Sequence, residues 1–170
     1  MTSPMYTFAV PVFKQMLMAL KAVLAQASAH ATAHSIEPDA LLQARLYPDM
    51  FALAKQVQIA ADFARGVSAR LAGVEIPKFE DTETTFPELK ARIAKTIAFL
   101  KTLDRKAFTG AENKEIVLKF PNVTLEYNGR DYVGNFVMPN TFFHITTAYG
   151  ILRNRGVALG KGDYLGGAQA

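Results

Sequence analysis

His144 is the ionisable residue most in need of explanation, because it lies within Pro139-Asn140-Thr141-Phe142-Phe143-His144-Ile145-Thr146-Thr147-Ala148-Tyr149-Gly150-Ile151-Leu152-Arg153, a stretch apolar on nearly every side. A helix apolar all round is a buried one, so this imidazole is expected in the interior. There it either satisfies its ring nitrogens on a neighbouring polar group or works as a ligand or general base. Asp49, Gln56 and Asp62 are the inward-capable partners. The same three have plainer readings: Asp49 near the positive end of a helix, Gln56 and Asp62 on its solvated face. His30 and His34, four residues apart, share one side of a helix near its end, where the helix field favours positive charge. Two ligands without a third make an incomplete metal site. Tyr149 reads as core with its hydroxyl partnered, and Arg153, Arg155 and Lys161 as charges complementing a helix end.

The elements that must position these residues follow from periodicity. Phe8, Val12, Met16, Leu20, Val23 and Ala27 recur at helical spacing, which predicts one long first helix over 4–33. After a turn at 35–38 and a short helical piece through Leu46, Pro48 is expected to start helix two. Its stripe is Met50, Leu53, Ala54, Val57, Ala61, Ala64 and Leu71, and Gly73 ends it. Thr85-Phe86-Pro87-Glu88 is a capping box that opens helix three. Glu115 to Phe120 and Val123 to Tyr127 alternate with period two around Pro121-Asn122, a small β-hairpin, and Asn128-Gly129 offers a second tight turn. Helix four is expected from Val133 or Pro139 to Asn154. The segment 159–166 is too glycine-rich for a helix, yet its pattern predicts packing against the bundle through Leu159, Tyr164 and Leu165. Met5, Met16, Met18, Met50 and Met138 are read as core and interface filler.

Composition bounds the function. A chain of 170 residues, half of them hydrophobic, is enough for one domain with a substantial core, so residues 1–170 are read as a single domain. It has no cysteine, which rules out disulfides, thiolate nucleophiles and cysteine-ligated metals. Its 19 Lys and Arg against 15 Asp and Glu leave +4, but the basic residues are scattered and form no stripe with aromatics, so no nucleic acid is expected. The N-terminus has no signal pattern, and Lys14 and Lys21 interrupt the one long apolar stretch, so a cytoplasmic chain without a membrane span is expected.

Two separated motifs carry a family resemblance. They are Leu46-Tyr47-Pro48-Asp49-Met50-Phe51 with Gln56-Val57-Gln58-Ile59-Ala60, and Phe143-His144-Ile145-Thr146-Thr147-Ala148-Tyr149 with Leu159-Gly160-Lys161-Gly162-Asp163-Tyr164-Leu165-Gly166. Over essentially its whole length the chain resembles a bacterial domain-of-unknown-function family of the DinB/YfiT-like superfamily. The resemblance implies an all-α, up-down-down-up four-helix bundle, often dimeric, with the hairpin between helices three and four. It also implies kinship with divalent-metal-dependent transferases that use low-molecular-weight thiols.

The superfamily's metal site is typically one histidine from helix two and a His-x-x-x-His pair from helix four. This chain departs from it: helix two has no histidine, and four residues beyond His144 stands Ala148. Asp49, Asp62 or Asp163 would have to substitute, with zinc or nickel as the metal and His144 as its candidate ligand. Two classes therefore stay open. One is a small-ligand-binding or interaction bundle with a degenerate metal site, forming a homodimer, its ligand met by Asp49, Gln56, Asn140, His144, Tyr149 and Arg153. The other is a metal-dependent thiol transferase with His144 and Asp62 as catalytic candidates and Arg153, Arg155 and Lys161 holding the carboxylates of a peptide-like thiol.

Overall fold

Helix α1 (Pro4–Ala33) opens on a proline, whose missing N–H costs nothing in the first turn, and buries Phe13, Leu17, Leu20 and Leu24 along one stripe. The computed structural model describes residues 3–167. At about 45 Å, α1 is long and apolar enough to cross a membrane by length and composition, but half of its most apolar stretch is buried inside the bundle. Phe8 is not on the inner stripe: it is 65% exposed, as is Met18 at 59%, because the packed face is shifted by one position toward Ala9, Phe13 and Leu17.

After the short α2 (Pro38–Leu42), the chain runs irregularly to α3 (Leu53–Ala72). Pro48 therefore does not start helix two, and the short helical piece ends at Leu42. The loop is closed instead by backbone bonds from Leu53 to Ala44 and from Met50 to Tyr47, and by Arg45 donating to the Met50 carbonyl. Gly73 ends α3 in the left-handed region at φ 71°, as its cap position requires.

Residues 73–85 form a strap that returns along α3, with Lys55 meeting Asp81 and Gln58 meeting Glu83. It delivers α4 (Phe86–Thr102) parallel to α3, behind the capping box that Thr85 and Glu88 complete. Helix α6 (Met138–Asn154) runs back antiparallel to α3, since Gln56 meets His144 while Arg70 meets Tyr132. The four long helices α1, α3, α4 and α6 thus run up, down, down, up, with one long crossover.

Between α4 and α6 the hairpin β1 (Glu115–Phe120) and β2 (Val123–Asn128) pairs Phe120 with Val123 and Glu115 with Asn128. Asn128-Gly129 is not a hairpin turn. Asn128 instead caps α5 (Gly129–Asp131) by accepting from the Asp131 amide, and a π-helical turn, Tyr132–Val137, leads directly into α6. The tail does pack back, with Leu159 buried and Gln26 donating to Asp163 at 2.7 Å. Its Lys161–Tyr164 segment is nevertheless a turn of helix, α7, because the Asp163 carboxylate accepts the Gly160 amide. Leu165 stays 37% exposed.

Candidate functional site

His144 is 8% exposed on α6 and faces α3. Its Nδ1 lies 2.6 Å from the Gln56 side-chain oxygen, and the Gln56 amide nitrogen donates to the Phe51 carbonyl at 3.1 Å. The second bond orients the carboxamide, so the ring nitrogen must be the donor and Nε2 carries the lone pair. Phe63 stacks against the imidazole at 5.9 Å, and Phe143 meets it edge-on at 5.3 Å. Burial lowers the His144 pKa below its ordinary value. The group is therefore a neutral, oriented imidazole at neutral pH.

Of the other expected site residues, only Gln56 joins it. Asp49 is exposed in the loop before α3. Asp62 is committed elsewhere: its Oδ1 accepts from Arg65 at 2.8 Å and Arg92 at 2.7 Å. Asn140 donates to the Phe136 carbonyl of its own helical turn. Tyr149 reaches the Leu159 carbonyl at 3.5 Å, and Arg153 caps its helix end on the Val157 carbonyl at 3.1 Å, so both tie down the tail. Among the described residues no group of three His, Asp or Glu side chains is arranged to hold a metal ion, and Ala148 stands where a second helix-four histidine would be. The donors present do not fit a three-ligand metal centre. The His30 and His34 rings lie 4.1 Å apart, tilted at 32°, with His34 Nδ1 on the His30 carbonyl and no third ligand forming a metal group with them among the described residues.

Two features escaped the sequence reading. The first corrects the view of the charges as solvated surface: Arg92 is 2% exposed, and its guanidinium gathers Asp62, Asp81, Glu83 and the Glu80 carbonyl. Burial opposes its charge, but Glu83 and Asp62 outweigh that and raise its pKa. Arg65, also buried, lies 4.1 Å over the Phe79 ring, and desolvation lowers its pKa. A signal existed, since Arg92 falls on the Leu89, Ile93, Thr96 stripe just after the acidic run Glu80, Asp81 and Glu83. The second is a cavity of about 320 Å³ between α3, the hairpin and the π-helical turn. Phe63, Leu118, Phe120 and Phe136 form its apolar side, while Asp62, Arg70 and Tyr132 supply its polar groups. Phe63 is shared between them: it lines the cavity and stacks on the His144 imidazole.

The family model described as Domain of unknown function (DUF1993) matches residues 5–165. Among solved structures, a crystal structure of a DinB family member protein from Shewanella denitrificans is 41% identical. The match covers 95% of this chain and 91% of that one, with a TM-score of 0.87. No curated protein matches the chain.

Proposed function

The chain belongs to the family described as Domain of unknown function (DUF1993), and from that footing we propose that it is a small-ligand-binding DinB-like bundle with a degenerate metal site. One observation carries the reading: a cavity of ligand size, largely apolar with a few convergent polar groups, adjoins a helix pair whose histidine is bound to a carboxamide. Gln56 takes up the nitrogen of His144 that faces α3, and the carboxylate nearest in sequence, Asp62, is neutralised by two arginines. The ligand seat is the aromatic cavity, and His144 orients Phe63 in its wall.

A second reading, a metal-dependent transferase acting with a low-molecular-weight thiol, is favoured by one detail. A hydrogen bond at Nδ1 that leaves Nε2 free is how second-shell groups prepare a histidine for a metal. Elemental analysis of untagged protein, after exposure to zinc or nickel and dialysis, separates the two. The degenerate-site reading expects no stoichiometric metal. One equivalent that is lost in His144→Ala but retained in a His30→Ala, His34→Ala variant would sink it and put the transferase first.

Homodimer formation belongs to the same proposal. Phe8, Pro11, Met18, Ala22, Ala25 and Ala29 form an exposed stripe on α1 at three- and four-residue spacing, interrupted between Pro11 and Met18 by Lys14 and Gln15. Antiparallel pairing of two such helices about Met18 sets Phe8 against Ala29, large against small.

A further inference from the structure

Arg70 is the one charged group of the aromatic cavity without an opposite charge. Asp62, the other, already shares one oxygen between Arg65 and Arg92. Among the described residues no carboxylate lies within ion-pair distance of the Arg70 guanidinium, and its single hydrogen bond is to the Tyr132 hydroxyl at 3.1 Å. Arginine only donates, so Tyr132 Oη is the acceptor in that bond and its own proton remains available. Tyr132 is buried, and desolvation raises its pKa, which keeps the phenol protonated. A guanidinium and a phenol proton therefore meet in the lining of a cavity whose apolar groups include Phe63, Leu118 and Phe136. The π-helical turn supplies Tyr132 and Phe136 and stacks them at 6.0 Å and 17°; such turns often mark functional positions.

We propose that this cavity binds a small apolar carboxylate, its carboxyl group held by Arg70 and Tyr132 and its hydrocarbon or aryl body seated against Phe63, Leu118 and Phe136. The proposal deepens the ligand-binding reading and rests on it. A planar guanidinium matches a carboxylate in two parallel bonds, which favours this anion over a point charge. The volume of about 320 Å³ is at the small end for ligand sites, which limits the body to about one ring or a short chain.

Phenylacetate and its neutral isostere phenylacetamide, titrated into isotopically labelled protein and followed by nuclear magnetic resonance, test it. The expected result is saturable shifts at Phe63, Tyr132 and Phe136, with the acid binding at least about tenfold tighter than the amide. Arg70→Gln should weaken the acid by about ten- to a hundred-fold, the range for a lost charged hydrogen bond. If Arg70→Gln does not fold, Tyr132→Phe should weaken the acid several-fold, and Ile59→Trp, which fills the cavity, should abolish binding. Equal binding of acid and amide, or unchanged acid binding in Arg70→Gln, would overturn the carboxylate assignment and leave the ligand-binding reading standing. Absence of shifts with either probe in the millimolar range would overturn both.

Discussion

At the scale of single residues, the chemistry of His144 depends on a bond that its own segment does not contain. Burial alone would leave an imidazole with two unsatisfied nitrogens, and Gln56, 88 residues away, decides which one is the donor. The folded state therefore prefers the neutral ring, while the unfolded chain takes up a proton as the pH falls through the ordinary histidine value. A depressed folded-state pKa means that this contribution to stability is present above that value and lost on acidification. Between pH 7.5 and 5.5 the unfolding free energy should fall by at most about 1.4 kcal/mol per pH unit on this account. In His144→Gln that slope should flatten. An identical slope in urea-unfolding series of both proteins would contradict the assignment. The burial of His144 was legible from the apolar run around it, whereas Gln56 had an equally good claim to a solvated face.

At the scale of elements, the strap over residues 73–85 and the junction at Gly129 hold the site in place. Arg92 ties the strap to α3 through Asp81 and Glu83 of the strap and Asp62 of α3, three carboxylates that are 13% to 37% exposed at their side chains and so partly retain water. Arg92→Ala strips Glu83 of its only cation among the described residues and leaves Asp62 to Arg65 and Asp81 to Lys55, and should cost about 3 kcal/mol in urea unfolding and open the strap to limited proteolysis. Full stability in that variant would show that the network contributes nothing net. A Cβ on Gly129 would lie 1.8 Å from the Ala111 carbonyl oxygen, a backbone atom that cannot give way. Gly129→Ala should lower the melting temperature by about 10 °C, on the basis of roughly 3 kcal/mol in a domain of this size, and displace the π-helical turn with Tyr132 and Phe136. Gly134→Ala, where nothing lies within 4 Å, should leave the melting temperature nearly unchanged. The capping box, the Gly73 cap and the hairpin register were readable because each rests on side chains only a few residues apart. The start of α3 was not, because Pro48 is admissible both at a helix start and in a turn, and bonds to Ala44 and Tyr47 chose the turn.

At the scale of the whole molecule, α1 (Pro4–Ala33) carries no acidic residue and has two apolar faces. The inner face, with Phe13, Leu17 and Leu24, fills the bundle; the outer stripe is the one proposed to pair with a second copy. Light scattering coupled to size exclusion should give twice the chain mass for the wild type, and Met18→Lys, which sets like charges against each other at the two-fold, should give the monomer. A wild-type monomer at high micromolar concentration would overturn the pairing.

The amino-acid sequence by itself determined the all-α bundle, its four long helices, its hairpin and the burial of His144, because apolar periodicity and caps act through neighbours along the chain. Tertiary structure alone decided which polar groups meet. It gave Asp62 to Arg92 and not to His144, put Asp49 in an exposed loop, sent Tyr149 to the tail, and assembled Arg70, Tyr132 and Phe136 into a cavity. The physical reason is that a buried polar side chain is specified by the partner that satisfies it. For Asp62 with Arg92, Gln56 with His144 and Arg70 with Tyr132, those partners are supplied by packing α3 against α4, α6 and the π-helical turn, at separations of 30, 88 and 62 residues that no local pattern records.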